Sequence, residues 1–153
     1  MRARHVLLPL AAMLCTAGLI GGCGDSSDET TMSLIEHAET DTVRHIGPAG
    51  EEDSAGDILT FANPVFNAEN TKKVGADNGS CIRTAAGKAW ECIWTMTLAG
   101  GQITVEGPFY DGRDSILTIT GGTDEYSGAD GQMKLHARDP EETEYDFTYE
   151  IED

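Results

Sequence analysis

The chain has 153 residues, enough for one domain with a real core. Its 27 Asp+Glu against 10 Lys+Arg give a formal charge of −17. An acid excess of that size argues against nucleic acid or an anionic membrane surface as a partner.

The opening stretch reads as a targeting segment. Arg2 and Arg4 precede an apolar run, Val6 to Ile20, that ends in Leu19-Ile20-Gly21-Gly22-Cys23. The run is short and broken by Pro and Gly, as in a secretory signal rather than a membrane span. The order of charge, apolar run, small residues and cysteine resembles a bacterial lipoprotein signal, with residues 1–22 removed and Cys23 lipidated. The mature chain would keep 8 Lys+Arg against 27 Asp+Glu, or −19. It would reside in the cell envelope, outside the cytoplasm, held to a membrane by its lipid. Residues 23–32 read as lipidated cysteine and polar, flexible tether, and residues 33–153 as the folded domain.

Within that domain the pattern is alternation. Leu34–Ala38, Ile58–Phe66, Ser80–Thr84, Trp90–Leu98, Gln102–Glu106, Ser115–Thr120, Gln132–Arg138 and Glu144–Ile151 each read as a half-buried strand. Gly100-Gly101 and Gly121-Gly122 separate neighbouring runs. Eight short antiparallel strands suit a sandwich or a closed barrel, and periodicity does not choose between them. Residues 39–57 read as a long acidic connection, either a lid or a disordered insertion.

Cys81 and Cys92 flank a segment nearly symmetric about Ala86-Gly87. A tight turn there pairs Thr84 with Ala89, Arg83 with Trp90, and Cys81 with Cys92. Opposed side chains share a face, and the compartment is oxidising, so a cross-strand disulfide is expected. A free Cys81 thiol facing the interior is the alternative.

Several segments resemble the allene oxide cyclases. Gly56-Asp57-Ile58-Leu59-Thr60-Phe61-Ala62-Asn63 resembles their Gly-Asp-Leu-x-x-Phe-x-Asn segment. Lys72-Lys73-Val74-Gly75, Gly79-Ser80-Cys81 and Glu106-Gly107-Pro108-Phe109 follow in order, and residues 119–135 resemble their Gly-rich turn and strand. A related Gly-rich segment occurs in dirigent proteins, and bacterial allene-oxide-cyclase-like barrels are similar throughout residues 33–151. The resemblance implies an all-β domain: an eight-stranded, antiparallel, up-and-down barrel with an apolar cavity. It implies no metal or organic cofactor, and a homotrimer.

The resemblance also implies site residues. Asn63 matches a pocket asparagine, and Leu59, Phe61 and Cys81 match pocket-lining positions. Trp90 stands where the family has a pocket phenylalanine, and Phe109 where it has a tyrosine, without the hydroxyl. Glu36 is the candidate for the buried carboxylate, since it shares a strand face with Leu34 and Ala38. The expected partner is a small hydrophobic molecule. The chain then either binds that molecule or, as a cofactor-free isomerase, uses Glu36 and Asn63 to steer a reactive intermediate. A barrel filled by Trp90, Trp94 and Phe109 is the structural alternative.

Overall fold

A computed structural model describes residues 29–50 and 52–152. The expectations for the signal segment, Cys23 and the start of the tether lie outside the described residues. Nine strands form one antiparallel sheet: β1 (Glu29–His37), β2 (Thr42–Arg44), β3 (Ile58–Asn67), β4 (Lys73–Ala85), β5 (Ala89–Leu98), β6 (Gly101–Tyr110), β7 (Ser115–Gly122), β8 (Asp130–Ala137) and β9 (Glu144–Glu152). Each of β3 to β8 pairs with the next, and β1 pairs with both β9 and β3. That last pairing, at Val65, Phe66 and Asn67, closes an eight-stranded barrel, and β2 lies on the part of the β3 edge that β1 leaves uncovered.

The interior follows from the period of two. On β9, Tyr145, Phe147, Tyr149 and Ile151 are buried, and the residues between them are less so. On β5, Trp90, Cys92, Trp94 and Met96 do the same. Val65, Met96, Ile103, Val105, Leu117 and Met133 are wholly enclosed. Burying such side chains stabilises the barrel by roughly 1.5–3 kcal/mol each before the entropy of ordering is counted.

Three expectations are corrected. β1 starts at Glu29, paired with Glu152, inside the segment read as tether; polar residues that alternate with nothing apolar still complete a ladder when a partner strand is present. The β4–β5 hairpin keeps Cys81 opposite Cys92 and Arg83 opposite Trp90, but a register shift places Ala85, not Thr84, opposite Ala89. Gly87 supplies the left-handed residue of that turn (φ +62°).

Third, the 39–57 connection is neither structureless nor a free lid. Its residues 42–44 form β2 on β3. Its end is organised by Asp57, whose carboxylate accepts hydrogen bonds from the Ile46 and Ser54 backbone N–H groups (2.8 and 3.0 Å) and the Ser54 hydroxyl (2.8 Å), and contacts His45 Nδ1 (2.8 Å). These bonds, led by the Ile46 N–H, hold the Asp57 carboxyl well below the usual carboxylate range. Arg83 then ties the connection to the hairpin. Its Nε lies 2.6 Å from Asp53, its NH1 lies 2.7 Å from Asp111, and its guanidinium sits 4.0 Å over the Trp90 ring.

Candidate functional site

The site begins with an arrangement of edges. β1 and β2 lie end to end along the same side of β3, Glu36 opposite Val65 and Thr42 opposite Thr60. Residues 38–41 bridge the gap and pass beside Asn63. The Asn63 side chain uses its full capacity there. Its carbonyl accepts from the Thr40 N–H (2.9 Å) and hydroxyl (3.0 Å). Its amide donates to Glu36 Oε1 (2.5 Å) and Asp41 Oδ1 (2.7 Å). Four satisfied bonds fix the amide's orientation.

β4 supplies the second carboxyl. Asp77 is the register partner of Asn63, and its Oδ1 accepts the Asn63 N–H at 3.2 Å. Glu36 is 5 % exposed, and Asn63 and Asp77 are 0 % exposed. Among the described residues, Asp77 Oδ2 is buried without a hydrogen-bond partner, so an ionised Asp77 would leave a charged oxygen uncompensated in the interior.

Burial first, then the neighbouring Asp77 charge, pushes the Glu36 carboxyl well above its usual range. Burial likewise pushes Asp77 up to about 7. Low-dielectric surroundings and a like charge both oppose ionisation, so the pair holds protons above the pH at which exposed carboxyls lose them.

Glu36 and Asp41 face a small apolar pocket lined by Leu59, Phe61, Trp94, Phe109, Tyr145 and the Cys81–Cys92 disulfide, among others. Its aromatic rings pack on one another. Trp94 meets Phe61 edge-on (5.9 Å) and stacks with Phe147 (5.7 Å), and Phe109 meets Tyr145 edge-on (5.9 Å). The free volume is about 30 Å³, room for a water rather than a ligand-sized cavity. Phe61 and Phe109 are only partly buried, so they are the rings whose rotation would enlarge it.

Thus the structure brings Glu36, Leu59, Phe61, Cys81 and Phe109 to one pocket, with Asn63 directly behind Glu36. Trp90 is not among the lining residues; its ring lies under Arg83 instead. The cysteines are cross-linked, with Cα atoms 4.0 Å apart, so the pocket presents a disulfide and no Cys81 thiol. Asp77, Asp41, Thr40 and Tyr145 were not foreseen as site residues. Asp77 carried a usable signal: extending the Cys81–Cys92 register four residues places it opposite Met96, on the inward face. Among the described residues, no group of three or more His, Cys, Asp or Glu side chains has a metal-holding arrangement.

The family model for allene oxide cyclase matches residues 31–147. The chain belongs to the allene oxide cyclase family. Solved structures share the family barrel at low identity. A pyocyanin demethylase is 24 % identical with a TM-score of 0.66, over 77 % of this chain and 98 % of that one. A pterocarpan synthase dirigent protein is 17 % identical with a TM-score of 0.62, over 80 % and 87 %. An exo-specific intermolecular Diels-Alderase is 15 % identical with a TM-score of 0.58, over 80 % and 98 %. These likenesses concern the fold.

Proposed function

We propose that this chain is a cofactor-free isomerase or cyclase that steers a reactive, small hydrophobic intermediate. The observation that carries the reading is the Glu36–Asp77 carboxyl pair, buried and held by Asn63 at an aromatic wall. Names as different as demethylase, pterocarpan synthase and Diels-Alderase on similar barrels mean that the fold does not name the reaction; the reading therefore rests on the pair.

In this reading the protonated Glu36 donates to an oxygen of the substrate as a strained or polarised bond opens there. The remaining negative charge of the pair faces the positive charge that develops on carbon. The rings around the pocket hold the chain of the intermediate in one conformation while a new ring closes. The proton then returns to Glu36, and the product is an isomer of the substrate.

Simple ligand storage is the second reading. It is supported by the same apolar lining but leaves the buried Glu36–Asp77 pair without a role. The two separate in a chiral product assay. Acid-labile unsaturated epoxides are incubated with the chain from Gly24 onward, and the enantiomeric excess of the cyclised product is measured. Steering predicts an excess that Glu36→Gln reduces at least tenfold while binding persists. Racemic product from both proteins would leave storage as the better account.

We further propose that Cys23 anchors the chain to a membrane through lipid. The first strand begins at the barrel end opposite the pocket mouth, where Glu29 pairs with Glu152. The mouth, beside the β4–β5, β6–β7 and β8–β9 turns, would then face away from the anchor. Metabolic palmitate labelling should mark the exported protein, and Cys23→Ala should abolish the label. Labelling unaffected by that substitution would refute the anchor.

A further inference from the structure

Two donors stand unused inside the barrel. Among the described residues, the Tyr149 hydroxyl and the Trp94 indole N–H are buried without a hydrogen-bond partner. Tyr149 is 0 % exposed and Trp94 is 3 % exposed. A buried donor left unpaired gives up its bonds to water and gains nothing in return. Ring packing does not explain that cost at Tyr149, since a phenylalanine would supply the same ring without it.

The positions of the two donors converge on Asp77. Asp77 lies opposite Met96 on β5, and Trp94 is two residues from Met96 on the same inward face. Asp77 and Trp94 are therefore diagonal neighbours across β4 and β5. The Trp94 ring stacks on Phe147 at 5.7 Å, and Tyr149 is the next inward residue on β9. One run of neighbours thus leads from Asp77 through Trp94 to Tyr149. Burial first, then the charge of Asp77, push the Tyr149 phenol well above its ordinary range, so it remains an O–H donor. The acceptor in want of a donor here is Asp77 Oδ2. The other oxygen, Oδ1, already takes the Asn63 N–H.

We infer that Tyr149, backed by Trp94, is a positioning residue of the carboxyl pair: its hydroxyl donates to Asp77 Oδ2 and stabilises the negative charge that the pair carries once Glu36 has given its proton to the substrate. This rests on the steering function proposed above and adds the group that compensates the pair. The proton leaves Glu36 for the substrate oxygen and later returns, while the phenol keeps its own. Tyr149 does not line the pocket, so it acts through Asp77 and touches no substrate. Donors fixed in the interior before the charge forms need no reorganisation when it does.

The titration of Asp77 tests it. Glu36 of β1, Asp41 of the connection that follows, and Tyr149 of β9 are the titratable groups that bear on Asp77. Residue-specific ¹³C NMR of its carboxyl carbon is recorded for the chain from Gly24 onward, which contains every strand of the closed barrel. Tyr149→Phe keeps the ring and removes the donor. It should raise the Asp77 value from about 7 by about one to two pH units, the weight of one hydrogen bond to a charged group. A tyrosine fluorinated beside its hydroxyl, placed at position 149, is a stronger donor of nearly the same shape and should move Asp77 the other way. A packing role predicts no such opposed shifts. An Asp77 value unmoved by both changes, or moved in the same direction by both, would overturn the role of Tyr149. The measurement uses no substrate and so stands apart from the chiral assay. A wild-type Asp77 at ~4 would remove the pair on which steering itself rests, whereas a raised Asp77 indifferent to position 149 would remove this inference alone.

Discussion

Glu36, Asp77 and Asn63 come from three strands, and each is expensive to bury alone. Together they satisfy most of one another's bonding needs, at the price of a proton that the pair retains. That retention has a sign in stability. Between the ordinary Asp value of 3.8 and about 7, an unfolded Asp77 has released its proton while the native one has kept it. The native state then binds more protons, so the pair's contribution to stability falls as pH rises through this window. At ~1.4 kcal/mol per pH unit the loss is of order 4 kcal/mol. Asp57 acts oppositely: its depressed carboxyl contributes stability above the unfolded value that is lost as pH falls. Asp77→Asn should therefore flatten the decline between pH 4 and 7 and raise stability at pH 7.5 in denaturant titrations. An unchanged profile would show that Asp77 ionises in the native state as it does unfolded.

At the scale of elements, the pocket depends on close approach between β4 and its neighbours. Gly79 sits opposite both Phe61 and Trp94. A Cβ there would come within 2.6 Å of the Phe61 ring and 2.8 Å of the Ile93 carbonyl oxygen, and would collide with the Trp94 Cβ. The missing side chain is what lets the two rings meet edge-on. Gly79→Ala should cost about 1–3 kcal/mol in thermal or denaturant unfolding and shift the Trp94 emission. A fully stable variant with unaltered emission would mean that β4 has room the packing does not show. The alternating runs made most elements legible beforehand, because one face of each strand is apolar and the other polar. β2 escaped notice for the converse reason: Thr42, Val43 and Arg44 are all exposed, and their place is set by the free edge of β3. The first half of β4 was missed because Gly75, Ala76 and Asp77 lack the β-branched and aromatic residues that mark strands.

At the scale of the whole molecule, closure joins residues that the sequence keeps apart. Glu36 and Asp77 meet because β1 and β4 flank β3, and Tyr145 faces Glu36 because β9 is the other neighbour of β1. Glu36 and Asn63 could be anticipated from strand faces and family resemblance. Their contact with Asp41 and Thr40 required knowing how the chain turns between β1 and β2. The same closure leaves one end for the pocket and the other for the start of the first strand. The proposed steering requires that the buried carboxyls hold their protons above the usual range. Residue-specific ¹³C NMR titration of the Glu36 and Asp77 carboxyl carbons measures it directly. Glu36 should titrate well above the usual carboxylate range and Asp77 at about 7. Two carboxyls that both ionise at their usual values, near ~4, would contradict it.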